Sequence, residues 1–123
     1  MKVAEVMNKS VVTCHPLERL GVIVNKLDLF HISGMPVVEK GVLVGVISRT
    51  DILKALKSGT LRDLTVQDVM TKDVTCVASA ELAVNVARIM IERSINRVPV
   101  VDNDKLVGIV TRGDIIKAAA ACE

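Results

Sequence analysis

Aromatic side chains are almost absent from this chain. Its 123 residues include one phenylalanine, Phe30, and neither tyrosine nor tryptophan. Proteins that read single-stranded RNA or DNA generally stack the bases on aromatic rings, so this class is disfavoured. The formal net charge of +2 also argues against the strong positive field of a nucleic-acid-binding protein. We therefore expect an aliphatic core and do not expect a nucleic-acid partner.

Long apolar runs are also missing. A membrane-spanning helix needs about 18 or more apolar residues in succession. The longest uncharged apolar stretch here runs only from Gly41 to Ser48, between Lys40 and Arg49. The N-terminus lacks the apolar segment of a signal peptide. Since 50% of the residues are hydrophobic, we expect a folded domain that is not associated with a membrane.

Cysteine is scarce, and its pattern is not that of a disulfide framework or a metal site. The three cysteines, Cys14, Cys76 and Cys122, form no CxxC pair, and no cysteine or histidine pair has the spacing of metal ligands. Unpaired thiols are typical of the reducing cytosol, where cysteine packs as a small hydrophobic side chain. The sequence therefore predicts a cytoplasmic protein with packed thiols and no metal centre.

The chain contains an internal duplication. When the sequence is shifted by 63 positions, its two halves align without a gap. The identical segments include Val6-Met7 with Val69-Met70, Pro36-Val37-Val38 with Pro99-Val100-Val101, Leu43-Val44-Gly45 with Leu106-Val107-Gly108, and Asp51-Ile52 with Asp114-Ile115. A unit of about 60 residues is marginally stable alone because it buries too little surface. We therefore predict two repeats, residues 1–60 and 61–123, stacked through their apolar faces.

Each repeat has the same predicted order of elements, β-α-β-β-α, after a short helical turn. A β run at 11–13 or 74–77 precedes an amphipathic helix of about four turns, with Pro16 and Ser79 suited to the helix start. In the first repeat, the predicted buried face of this helix consists of Leu20, Ile23, Val24, Leu27 and Phe30. Two apolar runs around a polar turn then predict a hairpin, and a helix closes the repeat. The predicted fold class is α/β, of the α+β kind.

The most informative segments lie where the second hairpin strand passes into the closing helix. Both repeats carry the pattern Gly-h-h-(Ser/Thr)-x-x-Asp, where h is a hydrophobic residue, at residues 45–51 and 108–114. A helix N-terminus presents free N–H groups suited to phosphate, and an ionised aspartate can accept both hydroxyls of a ribose. The alternative is structural, because Ser, Thr and Asp are also preferred helix caps. Repetition of the pattern at equivalent places favours the binding role.

These features resemble a tandem pair of cystathionine-β-synthase (CBS) domains, a Bateman module. The resemblance is carried by Met7, Met70, the two Pro-Val-Val runs and the two segments that end in aspartate, and it covers nearly the whole chain. It implies two repeats packed about a pseudo-twofold axis and a homodimer of parallel or antiparallel geometry. It also implies clefts for AMP, ADP, ATP or S-adenosylmethionine as regulatory ligands, with no cofactor required.

The resemblance further implies that each ligand cleft draws on both repeats. One cleft would contain Ile32, Ser33, Gly34, Pro36, Thr111, Gly113 and Asp114. The other would contain Ile95, Asn96, Arg97, Pro99, Ser48, Thr50 and Asp51. The base would lie between aliphatic side chains, with its edge read by backbone groups near Ile32 or Ile95 and near Val11 or Val74. The aspartate would hold the ribose, while hydroxyl groups and helix-end amides would hold the phosphate.

The two repeats differ at one position that matters for phosphate. Arg97 of the second repeat corresponds to Gly34 of the first. A charge-assisted contact contributes about 1.5–3 kcal/mol, so we predict that the cleft with Arg97 and Asp51 favours phosphorylated ligands. The alternative is that Arg97 is a solvated residue ahead of a strand. The roomier cleft with Gly34 and Asp114 is expected to accept a less charged adenosine compound or to stay empty.

Recognisable catalytic motifs are missing from the sequence. It contains no GxSxG, HExxH, Walker A or GxGxxG pattern. We therefore expect a ligand sensor, read by an unidentified protein partner, rather than an enzyme. The alternative is a dimerisation scaffold whose clefts bind nothing. The presence of Asp51 and Asp114 favours the sensor, because a scaffold would not need them.

Overall fold

The computed structural model describes residues 1–121, which form two compact units. The middle unit is the continuous segment Val12–Val74. The split unit combines Met1–Val11 with residues 75–121. The segment that opens each repeat therefore folds with the remainder of the other repeat. The boundary of the sequence repeats near residue 60 stays a prediction, because it concerns sequence similarity whereas the units are defined by contacts.

The helices and strands follow the predicted α+β pattern in both units. In chain order they are α1 (Val3–Val6), α2 (Leu20–Leu29), β1 (Gly34–Glu39), β2 (Val42–Ser48), α3 (Arg49–Lys57), α4 (Val66–Val69), α5 (Ala83–Arg93), β3 (Arg97–Asp102), β4 (Lys105–Thr111) and α6 (Arg112–Ala121). The middle unit contains α2, β1, β2, α3 and α4, and the split unit contains the other five elements. The predicted hairpins and closing helices are therefore confirmed.

The two hairpins match each other residue by residue. Strands β1 and β2 pair antiparallel from Gly34 opposite Ser48, with a β-bulge between Val37 and Val38. Strands β3 and β4 have the same register, and their bulge falls at the equivalent point between Val100 and Val101. The duplication is thus present in the backbone, irregularities included, and equivalent residues of the two repeats can be compared directly.

The predicted β runs at 11–13 and 74–77 are wrong as strands. One isolated parallel bridge lies at the end of each run, Cys14 with Val37 directly after the first run and Val77 with Val100 at the last residue of the second. In the middle unit, Cys14 bonds to the carbonyl of Pro36 (3.1 Å) and accepts from the amide of Val38 (2.8 Å). A longer ladder would need amide donors at Pro36 and Pro16, and proline has none. The prolines therefore limit this pairing to one residue.

The long helices begin later than predicted. Helix α2 starts at Leu20 rather than at Pro16, and α5 starts at Ala83 rather than after Ser79. Ser79 instead donates its amide (3.0 Å) and hydroxyl (2.6 Å) to the carboxylate of Asp102, and the N-cap position of α5 is Leu82.

The predicted buried face of α2 is only partly correct. Leu20, Ile23 and Leu27 are buried, whereas Val24 and Phe30 are 40% and 49% exposed. Phe30 caps the C-terminal end of the helix instead of continuing its apolar face.

Each unit has its own aliphatic core, which is completed by the opening segment of the other repeat. We call these two opening segments, Met1–Val11 and residues 61–74, the exchanged segments. Val66 of α4 lies in the core of the middle unit, and Val3 of α1 lies in the core of the split unit. Both side chains are fully buried. Val66 donates its amide to the carbonyl of Glu18 (2.9 Å), and Val3 donates to Glu81 in the same way (2.8 Å). Burying one such side chain contributes about 1.5–3 kcal/mol, so the exchange is part of the stability of each unit.

The exchanged segments also pair with the second strand of each hairpin. Thr71 and Val46 exchange two backbone hydrogen bonds of 2.9 Å, and Asn8 and Ile109 do the same at 2.8 and 3.0 Å. The glycine that precedes each paired strand residue allows this close approach. A Cβ atom on Gly45 would lie 2.9 Å from the carbonyl oxygen of Thr71 and 2.8 Å from the sulfur of Met70.

The equivalent glycine of the split unit is under the same constraint. A Cβ atom on Gly108 would lie 2.7 Å from the sulfur of Met7 and 3.1 Å from the carbonyl oxygen of Asn8. This contact explains why the glycine and the methionine occur in both repeats.

The thiols are in two different environments. Cys14 is buried, and desolvation raises its pKa from 9.0 to about 12, with a smaller contribution from the negative charge of Glu18. Cys76 is exposed, so the prediction that the thiols are packed is wrong for this residue. The third, Cys122, lies outside the described residues. Within residues 1–121, no helix combines the length and the apolar character needed to cross a membrane.

Replacement of Gly45 by alanine is expected to destabilise the protein by about 1–3 kcal/mol, because the new methyl group would press on a backbone carbonyl that cannot move without breaking the pairing. Gly21 in α2 is the matched control, since an added Cβ atom meets nothing within 4 Å there. Alanine at Gly21 should stabilise the helix by up to about 1 kcal/mol. Urea denaturation measures both changes. A Gly45→Ala variant as stable as the starting protein would contradict the close-approach argument.

Candidate functional site

The strand-to-helix junction of the middle unit is built as a reciprocal helix cap. The hydroxyl oxygen of Ser48 accepts a hydrogen bond from the amide of Asp51 (3.4 Å). Oxygen Oδ2 of Asp51 accepts in return from the amide (2.9 Å) and hydroxyl (3.2 Å) of Ser48. This arrangement is a capping box, which satisfies two backbone amides at the start of α3.

The junction of the split unit repeats this geometry. Oxygen Oδ2 of Asp114 accepts from the amide of Thr111 (2.8 Å), and the hydroxyl oxygen of Thr111 accepts from the amide of Asp114 (3.3 Å). Both aspartates are half-buried. The structural role that the sequence left open is therefore present in both repeats, since each aspartate completes the capping box of its closing helix.

Each junction lies beside the start of the first hairpin strand of its own repeat. In the middle unit, Gly34 is the strand partner of Ser48, and the amide of Arg49 donates to the carbonyl of Ser33 (2.9 Å). The residues predicted to bind a ligand from the strand start and from the helix start are thus brought together within this unit.

The split unit has the same arrangement. Arg97 is the strand partner of Thr111, and the amide of Arg112 donates to the carbonyl of Asn96 (2.9 Å). Arg97 is half-buried and is the first residue of β3. The assignment of these residues to clefts that draw on both repeats stays a prediction of the resemblance.

The first turn of each closing helix already uses some of its amides. In α3, the amide of Arg49 bonds to Ser33 and that of Asp51 bonds to Ser48. The residue between them in the sequence is Thr50, whose side chain is exposed. The equivalent residue in α6 is Gly113, which has no hydroxyl group to offer. A phosphate at these helix ends would therefore meet different groups in the two repeats.

The two aspartates differ in the hydrogen bonds that their Oδ1 oxygens accept. Oxygen Oδ1 of Asp51 accepts a hydrogen bond from the hydroxyl of Thr71 (3.1 Å). The residue equivalent to Thr71 in the other repeat is Asn8, whose side-chain oxygen accepts from the amide of Ser10 (2.9 Å). Among residues 1–121, the only group that bonds to the carboxylate of Asp114 is the amide of Thr111, at Oδ2.

Thr71 and Asn8 were missed by the sequence analysis. The signal was available, because the shift of 63 aligns these two residues. The sequence does not show that Thr71 contacts Asp51, because the two residues are twenty positions apart.

The remaining predicted site residues have structural surroundings. Ile32 and Ile95 are half-buried and pack against the cores of their units. Pro36 and Pro99 are buried within strands. Val11 and Val74 are half-buried and end the two exchanged segments. In the part of the chain that the structure describes, no three His, Cys, Asp or Glu side chains are grouped as metal ligands.

The carboxyl groups with lowered pKa values belong to other local contacts. The backbone and hydroxyl of Thr65 lower the pKa of Asp68, and those of Ser79 lower the pKa of Asp102. The side chain of Asn85 and the amide of Leu82 lower the pKa of Glu81. Each of these shifts comes from hydrogen bonds that hold a turn or a helix start.

Comparison with known proteins identifies relatives across nearly the whole chain. A sequence profile of the CBS domain family matches residues 3–58 and 66–121. Inosine-5'-monophosphate dehydrogenase from Methanocaldococcus jannaschii is 37% identical over 118 residues, which cover 94% of this chain and 23% of that protein. The chain spans less than half the length of the first curated relatives that it matches.

Two similar solved structures contain adenosine compounds. The CBS domain pair of protein MJ0100, in complex with 5'-methylthioadenosine and S-adenosyl-L-methionine, has a TM-score of 0.85 and 32% identity, covering 97% of this chain and 99% of that one. CBSX2 of Arabidopsis thaliana in complex with AMP has a TM-score of 0.88 and 28% identity, covering 98% of this chain and 97% of that one. The chain therefore belongs to the CBS domain family, and it carries two CBS domains in tandem.

Proposed function

We propose that this chain is a regulatory module that binds adenosine compounds. The observation that carries the proposal is the strand-to-helix junction, which recurs in both repeats with a hydroxyl residue, an aspartate and a helix N-terminus in the same geometry. The complexes of MJ0100 and CBSX2 support this ligand class. The module acts by binding and not by catalysis. A protein partner reads a conformational change, which a ligand can drive only if its affinity for the two states differs.

The residues around Arg97 are proposed to bind phosphate. The resemblance groups Arg97 with Ser48, Thr50 and Asp51. The exposed hydroxyl of Thr50 and the guanidinium of Arg97 are both hydrogen-bond donors, as a phosphate requires. The other group has Gly113 and Gly34 at the equivalent positions, so it lacks both donors. We therefore assign phosphorylated adenosine compounds to the group with Arg97 and less charged compounds to the group with Asp114.

The second candidate function is a dimerisation scaffold that binds no ligand. The capping boxes favour this alternative, because they give Asp51 and Asp114 a structural reason to be present. A scaffold would therefore also need these aspartates, contrary to the expectation from the sequence. A direct binding measurement is required to separate the two functions.

The chain should be stabilised by at least one of AMP, ADP, ATP and S-adenosylmethionine in a thermal-shift experiment. A ligand present at 100 times its Kd adds about 2.7 kcal/mol to the free energy of unfolding, which corresponds to a rise of several degrees in Tm. Cytidine monophosphate is the matched control, because it carries the same sugar phosphate on a different base. Stabilisation by none of the four compounds would favour the scaffold.

Replacement of Arg97 by alanine should weaken the binding of AMP roughly tenfold or more, because a charge-assisted contact to phosphate contributes about 1.5–3 kcal/mol. Isothermal titration calorimetry measures the change. Adenosine affinity should remain within about twofold, since that ligand carries no phosphate. Arg88→Ala, at an exposed arginine on α5, is the control variant. An unchanged AMP affinity in Arg97→Ala would refute the phosphate assignment.

We also propose that the chain forms a homodimer through the exposed faces of its closing helices, α3 and α6. Leu53 on α3 and Ile116 on α6 occupy equivalent positions in the repeats, and they are 65% and 62% exposed. An apolar groove lies beside each of them, with volumes of about 320 and 410 Å³, and every position that lines the first also lines the second in the other repeat. Monomeric proteins rarely leave such faces uncovered. A second copy of the chain presents the same faces and can cover them in a symmetric contact.

A Leu53→Glu/Ile116→Glu double variant should be a monomer where the starting protein is a dimer, because each substitution places a charge in the proposed contact. Size-exclusion chromatography with light scattering gives the mass of both. Lys9→Glu is the control, since it reverses a charge on an exposed loop. A monomeric starting protein, or a double variant that stays dimeric, would exclude this interface.

The compartment that we propose is the reducing cytosol. Cys14 and Cys76 are free thiols, one buried and the other exposed. Neither of these two thiols forms a disulfide, which fits a protein kept under reducing conditions.

A further inference from the structure

In the middle unit, an apolar side chain covers the space between the end of α3 and the start of α2. Leu61 follows α3 and precedes Leu64, whose carbonyl accepts a hydrogen bond from the amide of Leu20 (3.3 Å), the first residue of α2. Leu61 is half-buried and packs against the core of this unit. The segment 59–63 therefore closes the groove between these two helices.

The split unit leaves the equivalent space open. Met1 takes the place of Leu64, and its carbonyl accepts from the amide of Ala83 (2.9 Å), the first residue of α5. When Leu61 is shifted back by 63 positions it falls ahead of Met1, so its counterpart is not among residues 1–121. An apolar groove of about 370 Å³ lies at this place, between the start of α5 and the C-terminal part of α6. We call it the α5–α6 groove.

Identical side chains on the two closing helices differ in exposure for this reason. Ile52 and Ala55 of α3 are buried. Their counterparts on α6, Ile115 and Ala118, are only half-buried, and both line the α5–α6 groove. Among the described residues, α6 contains no fully buried side chain, whereas α3 contains two. A surface that belongs to the core of the middle unit is thus open to solvent in the split unit.

We infer that the α5–α6 groove is a docking site for an extended segment of a partner protein, which inserts a leucine-sized aliphatic side chain. The middle unit shows the fit, because Leu61 covers the same positions there. Burial of such a side chain and of the alanines and isoleucine beneath it favours association. The inference does not rest on the binding of adenosine compounds.

The neighbouring position further defines the chemistry of this partner segment. In the middle unit, the carboxylate of Asp63 lies 3.4 Å from the guanidinium of Arg19. The counterpart of Arg19 in the split unit is Leu82, which lines the groove and is 47% exposed. An acidic residue two places after the inserted leucine would therefore find no cation. The segment that fits is uncharged at this point.

A second copy of the chain is a poorer occupant than a different protein. Its own Leu61 is already packed against the core of its middle unit and is not free to enter the groove of another copy. The groove beside Ile116, which we assign to the homodimer contact, lies toward the end of α5 and the start of α6. The α5–α6 groove lies toward the opposite end of this helix pair.

The experiment is an NMR titration of the full chain with the capped peptide Gly-Thr-Leu-Arg-Asn, a copy of residues 59–63 that carries Asp63→Asn. The peptide should shift the amide signals of Ala83, Ala87 and Ala118, with a Kd in the millimolar range because it has one apolar anchor. The same peptide with alanine in place of leucine should leave these signals unmoved. Ala118→Glu should abolish the shifts, whereas Ala120→Glu, at an exposed position of α6 outside the groove, should preserve them.

A second measurement supplies the segment within the chain. The same five residues are placed directly ahead of Met1, as residues 59–63 precede Leu64. This extension should raise the Tm by about 2–6 °C, and the extension with alanine in place of leucine should not. The chain extended with leucine should also lose its response to the free peptide, because the groove is then filled.

Three results would overturn the inference. The first is a peptide that leaves the groove signals unmoved, or that moves them equally with leucine and with alanine. The second is an equal Tm for the two extended chains. The third is a change in the mass of the protein, measured by light scattering, in Ala118→Glu but not in Ala120→Glu, because a second copy would then occupy the groove. Since no adenosine compound is present in these experiments, their outcome is independent of the proposed function.

Discussion

The close approach of two backbone segments over a glycine is the constraint on which the rest of this structure depends. Thr71 and Val46 can exchange their hydrogen bonds only because Gly45 has no side chain to hold the segments apart. The approach anchors the exchanged segment, whose helix contributes Val66 to the core. It also brings the hydroxyl of Thr71 to the carboxylate of Asp51. The pairing of Thr71 with Val46 thus stabilises the middle unit and also determines which group lies beside Asp51.

The two repeats share one backbone geometry but carry different side chains beside their capping boxes. The hairpins of the two repeats agree in register and in the position of the bulge. Both capping boxes are present as well. The differences between the repeats fall beside the caps, at Thr50 and Gly113 and at Thr71 and Asn8. A fold that is held by shared contacts can therefore carry two strand-to-helix junctions of different chemistry.

Local pattern was sufficient to predict the hairpins and the closing helices, because alternation of apolar residues and capping preferences act over a few positions. It failed where partners are distant in sequence. The run at 11–13 has strand-forming residues, yet the amide-free positions Pro16 and Pro36 restrict the pairing to the bridge of Cys14 with Val37. Whether such a run extends depends on its partner strand, which no short window contains.

In the candidate site, too, contacts between residues close in sequence could be predicted, whereas contacts between residues far apart in sequence could not. The sequence pattern around Asp51 predicts either a helix-capping residue or a ligand-binding residue. The hydrogen bond from Thr71 joins residues that are twenty positions apart. It exists because the opening segment of one repeat completes the other, an exchange that a gapless alignment of the repeats does not reveal.

The interleaved order of the units has a consequence for the time course of biosynthesis. The middle unit is a single continuous stretch, so all of its contacts become available as soon as Val74 has left the ribosome. Met1–Val11 is made before the middle unit, yet the residues that it folds with follow Val74 in the sequence. Because domains generally fold as units during translation, Met1–Val11 waits without its partner while the middle unit is completed, and it packs only after the second hairpin has been made.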